Sequence, residues 1–189
     1  ACSTPTARPC YTIFWTVGVS MSNDEPGTMP DGFTTGVDYP HPFNELAVAL
    51  CSTAARNVCI LSPGLDHEAF DNAELAAALS ALARSSRQTR IRILISDSRA
   101  LVGRGHRLLQ LARRIPSSLS IQKLAEHPDW NGETVVIRDR DGVLYKPGGS
   151  DHEGFYEPDS RASTQKHLEL FEELWRHSAQ DVELRSLSL

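Results

Sequence analysis

No apolar run in this 189-residue sequence approaches the roughly 20 residues that span a bilayer. A membrane-spanning helix is therefore not expected. Walker A, Gly-x-Ser-x-Gly and His-Glu-x-x-His patterns are also missing, which removes the common signatures of P-loop enzymes, α/β-hydrolases and zinc peptidases. There are only four cysteines, at positions 2, 10, 51 and 59. None belongs to a Cys-x-x-Cys pair, and none has a histidine at zinc-finger spacing. An excess of basic residues is lacking as well. Net charge is −5 and the pI is about 5.8, which argues against a general nucleic-acid binder. What is present is ordinary for a globular chain: 40% hydrophobic and 23% charged residues, enough for one domain with a core.

Cys51 and Cys59 lie in apolar stretches (AVALCSTAA and NVCIL) and read as buried free thiols. Buried free thiols point to a reducing compartment, so a cytoplasmic location is expected. Residues 1–20 differ from the rest. Arg8 precedes the apolar run Tyr11–Val19, and Gly18 and Ser20 fit a small-x-small cleavage rule. Two threonines and a glycine interrupt that run, and Met21 follows at once. An upstream extension or disordered tail is the preferred reading over a signal peptide. Residues 21–40 are rich in Pro, Gly, Asp and Thr and read as loop or disorder. The division is 1–40 as extension and 41–189 as one domain.

Within that domain, Phe43, Leu46, Ala47, Leu50, Cys51 and Ala54 recur at helical spacing. "NVCILS" reads as a buried strand ended by Pro63-Gly64. A helix follows, opened by Asp71 with Glu74 three residues later, close to a capping box. "IRILIS" (91–96) is a second buried strand and "LSIQKL" (119–124) a third. Between them, "SRALVGRGHRLLQLARRIP" reads as one amphipathic helix stopped by Pro116. Its apolar side holds Leu101, Leu108, Leu109, Ala112 and Ile115. Its polar side holds Arg99, His106, Arg107, Gln110, Arg113 and Arg114. "ETVVIRDRDGVLYK" reads as a hairpin turning at Asp-Gly, followed by Gly-Gly-Ser. A last helix starts near Asp159-Ser160 and buries Leu168, Phe171, Leu174 and Trp175. Alternating helices and strands predict an α/β fold: a mixed, mostly parallel sheet with helices on both faces. The C-terminal hairpin and helix complete it.

Four of these pieces together resemble one half-domain of the phospholipase D-like superfamily. They are the opening helix with "NVCILSPGL", the helix with "IRILISD", the hairpin "TVVIRDRDGVLY" with its "GGS", and the final helix with "FEELW". The phrases "RGHRLLQLARRIPSSLSIQKL" and "LFEELWRHSAQDVELRSLSL" more closely resemble a bacterial family of unknown function, sometimes attached to GNAT-type acetyltransferase domains. The superfamily resemblance implies a His-x-Lys-x4-Asp motif. Its histidine attacks phosphorus, its lysine neutralises the phosphate, and its aspartate stabilises the hairpin or orients neighbours. Two copies must meet, so a homodimer is implied.

Neither register of that motif fits. With Asp141 as the aspartate, the histidine and lysine places hold Thr134 and Val136. With Asp139, they hold Gly132 and Thr134. No catalytic residue is therefore expected. Downstream, Gly149-Ser150 falls about where active members carry a glycine-serine pair, and His152 stands in place of their usual asparagine.

Other constellations have a functional and a bland reading. The basic helix face offers a seat for a phosphate or carboxylate, or is a solvated face complementing its helix dipole. Arg99, Gly103 and Gly105 are out of register for a coenzyme A pyrophosphate loop. Asp66, His67 and Glu68, with Asp97 at the next strand end, lie where open sheets bind ligands, or form a polar loop. Asp151-His152-Glu153 has poor spacing for a metal. His167 and His177 read as surface residues, and Trp130 as a loop anchor or hairpin lid. The expectation is a non-catalytic binding or interaction module without cofactor or metal. Its ligand contains phosphate or is a protein, and Arg104, His106, Arg107, Arg113, Ser150 and His152 are the ligand-binding candidates. The alternatives are a phosphodiesterase or phosphotransferase using His106, His127 or His152, and an accessory domain to an acetyltransferase.

Overall fold

The computed structural model describes residues 32–181 and Leu184. Everything read for residues 1–31, including Cys2 and Cys10, lies outside them. No helix among the described residues is long and apolar enough to cross a membrane.

β1 (Thr34–Val37) and α1 (Phe43–Ser52) open the fold. β1 falls within the stretch expected to be loop. Its strand character comes from pairing with a distant strand, not from its own TTGV sequence. The predicted spacing along α1 holds: Phe43, Leu46, Ala47, Leu50 and Cys51 are buried. β2 (Asn57–Ser62) then leads through α2 (His67–Phe70) into α3 (Ala73–Ser85). The cap of α3 is Asn72, whose side chain accepts from the Glu74 N–H at 2.7 Å. Asp71, the cap expected from sequence, is engaged elsewhere.

β3 (Arg90–Ile95) is followed by α4 (Arg99–Arg104) and α5 (Arg107–Arg114). The sequence reads as one helix here. The structure breaks it at Gly105, whose φ of 72° is left-handed backbone that glycine adopts freely. His106 becomes the cap of α5 and is fully buried, so its expected place on an exposed basic face is corrected. β4 (Leu119–Leu124), β5 (Thr134–Arg138), β6 (Gly142–Lys146), β7 (Gly154–Glu157), α6 (Arg161–Arg176) and β8 (Ser178–Ala179) complete the chain.

The strand order is β1-β7-β6-β5-β2-β3-β4-β8. The sheet is mixed, as expected, and helices cover both faces. Its parallel part is confined to β2–β3 and β3–β4, the pairs joined by helical crossovers. The antiparallel share is larger than the alternation of helices and strands implied, because β1, β7 and β8 have little strand signal of their own. One face buries Leu50, Leu75, Leu79, Ile91, Ile93, Leu108 and Leu144 under α1 to α5. The other buries Cys59, Leu61, Leu94, Val135, Ile137 and Val143 under Phe171 and Leu174 of α6. Arg92 projects toward α6, bonded to Glu172 and lying over the Phe171 and Trp175 rings. Cys51 and Cys59 are buried free thiols, and burial pushes their pKa values up to about 12 and about 11.

The β5–β6 turn is not at Asp-Gly. Arg138 pairs with Gly142, so Asp139, Arg140 and Asp141 make the turn, with Asp139 at φ 48°. Gly142 is already in β6, where a Cβ would lie 2.8 Å from Leu50 of α1. The Asp139 carboxylate reaches the start of β2. It accepts the N–H groups of Ala55 at 2.7 Å, Arg56 at 2.9 Å and Asn57 at 2.8 Å. Three charge-assisted bonds from consecutive amides, partly exposed, are worth roughly 2–3 kcal/mol together. Asp139→Ala is expected to lower unfolding stability by about that amount in urea titrations. Asp139→Asn should recover a part of it, because asparagine tolerates left-handed backbone and keeps one acceptor.

Candidate functional site

β2 and β3 end where β5 begins and β6 finishes, because β5 runs antiparallel to both β2 and β6. This end of the sheet is where open α/β folds place ligands. Asp139 performs the stabilising role that the resemblance gives the motif aspartate. Asp141 instead pairs with Arg138 at 2.8 Å. In the Asp139 register the histidine's place is Gly132, at φ 80°, a conformation that a histidine adopts only with strain. The lysine's place is Thr134, which is buried.

A cation nevertheless stands beside that place. Lys146 is the cross-strand partner of Thr134, so both side chains leave the same face of the sheet. Lys146 Nζ lies 3.0 Å from an Asp151 carboxylate oxygen and 4.8 Å over the Tyr39 ring. The Tyr39 hydroxyl donates to Asp66 at 2.6 Å. Burial and the neighbouring Asp66 raise the Tyr39 pKa, so this phenol stays protonated. The Gly148–Ser150 loop packs against the start of β5: a Cβ on Gly148 would fall 2.0 Å from the Asn131 carbonyl oxygen.

Asn131 and Gly132 also line an adjacent cleft of about 880 Å³ with Lys123, Glu126, His127 and Trp130. Trp130 is the expected loop anchor: its indole N–H donates to the Glu133 carbonyl at 3.1 Å, and its ring packs on the α6-side core. Lys123 lies 3.4 Å from Asp181. His127 sits with its ring 5.1 Å from that of His177.

On the helical side of the same sheet end, α2 meets the break between α4 and α5. The rings of His67 and His106 stack at 5.2 Å and 16°. His106 Nδ1 accepts the Leu108 N–H at 3.1 Å, which caps α5. Asp71 accepts the Arg107 N–H at 2.9 Å, and its backbone carbonyl accepts the Arg107 guanidinium at 2.8 Å. Burial pushes the His106 pKa down to about 4 against the pull of Asp71.

The sequence-derived candidates therefore separate. Ser150 and His152 lie on the β6–β7 loop, where His152 bonds to Asp38 at 2.9 Å, and that partner raises its pKa. His106 and Arg107 belong to the His67 cluster. Arg113 lines another cleft with Pro116 and Leu119, beside the start of β4. Arg104 ends α4. Asp66, His67 and Asp97 do not converge: Asp66 holds Tyr39 and Asp97 holds Arg99. His167 is not a plain surface residue, since it packs against Tyr145 and Phe155 and burial lowers its pKa. Sequence reasoning missed Lys146, Lys123 and Asp71. Lys146 was legible only through the strand register, once the turn was placed at Asp139.

Residues 39–187 match the model of a family described as a domain of unknown function, DUF7931. The chain belongs to that family. Among curated proteins none matches. Among solved structures, Nuc from Salmonella typhimurium, a phospholipase D family member, aligns with TM-score 0.57 and 15% identity. The alignment covers 79% of this chain and 98% of Nuc. Phosphatidylserine synthase of Haemophilus influenzae gives 0.52 and 14%, over 83% of this chain and 40% of the synthase. TrmBL2, an archaeal chromatin protein described with a novel mode of DNA binding, gives 0.56 and 11%, over 79% of this chain and 53% of its own. The phospholipase D-like fold is thereby shown. The likeness to TrmBL2 gives no support to the expectation, drawn from acidic charge, that nucleic acid is an unlikely partner.

His106 is neutral in the folded state and takes up a proton on unfolding below pH about 6.5. Stability is therefore expected to fall as pH drops from 6.5 toward 4, with a slope approaching about 1.4 kcal/mol per pH unit. Urea midpoints at pH 7, 6 and 5 measure it. His106→Asn retains a capping acceptor and should flatten the slope, leaving the smaller part due to His167.

Proposed function

We propose that this domain is a non-catalytic binding module for a phosphate-bearing ligand. The observation that carries this reading is the vacated nucleophile position: Gly132 in left-handed backbone where the resemblance calls for histidine. Without a nucleophile no phosphoenzyme forms there. Charge for binding is still present. Lys146 stands across the ladder from the missing lysine, and Lys123 lines the cleft that Asn131 and Gly132 share. The proposed seat takes in the cleft of Lys123, Asn131 and Gly132 and the Gly148 backbone packed on Asn131; Ser150 follows on the same loop, whereas His152 lines a separate hollow with Phe33 and Phe155. The Lys146 side chain is only 12% exposed and is held by Asp151, itself 61% exposed, so an anion reaches the lysine by displacing that carboxylate. The chain corresponds to one half-domain, so a second copy completes the unit as a homodimer.

A rearranged phosphodiesterase is the second reading, favoured by His127 lining the cleft beside Lys123. One set of measurements separates the two. Thermal unfolding of the full chain is followed with inorganic phosphate, nucleotides and short DNA strands, since a ligand that binds only the folded state raises Tm. The expected result is a rise that Lys146→Ala removes. Hydrolysis of bis(p-nitrophenyl) phosphate is expected to stay at the buffer rate. Turnover that disappears in His127→Ala would establish the phosphodiesterase instead, and a flat ligand screen would leave a protein-interaction module.

A further inference from the structure

The break between α4 and α5 brings together three side chains with no role in the cleft described above. His67 opens α2, Asp71 closes it, and His106 caps α5. One ligand atom from each lies within 4.8 Å of the other two. His67 Nδ1 is 3.7 Å from Asp71 Oδ2. Two of the nitrogens are buried without a hydrogen-bond partner, His67 Nδ1 and His106 Nε2. His106 itself is 0% exposed. The Leu65 backbone acts on the His106 ring as a weak hydrogen-bond acceptor that raises its pKa, but it does not reach full hydrogen-bond geometry at Nε2. A buried ring nitrogen left in this way is costly unless something occupies the space before it.

We propose that His67, Asp71 and His106 form a binding site for a divalent transition ion of the zinc type. Two imidazoles and one carboxylate are the ligand types such ions take, and three protein ligands leave a position open for water or another group. Asp71 is oriented for this by the Arg107 backbone N–H on its other oxygen, the kind of outer support that ligating carboxylates have. The ion enters from the side of His67 and Asp71, whose side chains are 26% and 23% exposed. Ligand atoms at zinc distances of about 2.0–2.2 Å stand closer together than these do, so His67 must swing inward.

Two local bonds oppose the ion. The His106 proton must pass from Nε2 to Nδ1, and the Leu108 N–H then loses its acceptor. The Arg107 guanidinium, 3.5 Å from Asp71 Oδ2, must turn away, and it is exposed enough to do so. Loss of one helix cap is small against the binding of zinc by three side chains, so the ion prevails. Binding consequently uncaps α5.

The test uses the full chain, freed of metal by a chelator and titrated with zinc. One ion per chain is expected, with a rise in Tm. Cobalt(II) should give a visible d–d band of low coordination number. His67→Ala and Asp71→Asn should each weaken zinc binding at least ten-fold and abolish the band. Asparagine keeps the acceptor for the Arg107 N–H, so Asp71→Asn spares the fold. Histidine ring NMR signals of the unsubstituted chain supply a readout free of mutation, and zinc should move those of His67 and His106. Absence of stoichiometric binding overturns the proposal. So does binding that persists in both variants, or zinc that leaves the His67 and His106 signals in place.

Discussion

The Asp139 carboxylate ties the turn of one hairpin to the first residues of the central strand, and most of the molecule hangs on that tie. Its three amide bonds fix where β2 starts and hence its register with β5. That register sets where β5 begins, and the start of β5 is the place where a motif nucleophile would stand. The same residue fixes the turn, and the turn decides which β6 side chain faces Thr134. Moving the turn by one residue would send Lys146 to the opposite face.

The phospholipase D-like fold here has a carboxylate contact at the hairpin turn and no histidine at the position the motif would use. A carboxylate that stabilises backbone does its work without a substrate. A histidine nucleophile earns nothing once its strand position has become left-handed. In the proposed function the lysine role is the one that transfers, because a positive charge needs only to lie near an anion and can come from a neighbouring strand. In the proposed function, binding is kept without catalysis for that reason.

The helix that sequence periodicity draws through Gly105 is two helices, and the break has consequences on both sides. It buries His106 instead of exposing it, and it brings the N-terminus of α5 against Asp71. An anionic side chain is favoured at a helix N-terminus, so the Asp71 contact and the break support one another. The arginines that the single-helix reading gathers on one face diverge. Arg107 turns to Asp71, while Arg113 faces a cleft beside the start of β4.

The sequence by itself determined the elements with a strong local pattern. α1, β2, α3, β3, β4, the hairpin and α6 follow from apolar spacing, because burying a continuous face dominates the energetics of each. It also determined that no register of the motif contains its histidine. The edge strands β1 and β8, and β7 beside β1, were decided only by tertiary structure, since segments of two to four residues become strands by pairing with an existing strand. The same holds for both candidate sites. Lys146 meets Thr134 through strand register, and His67 meets His106 through the docking of α2 on α5. Those neighbours lie 12 and 39 positions apart, and hydrophobic periodicity carries no record of such pairings.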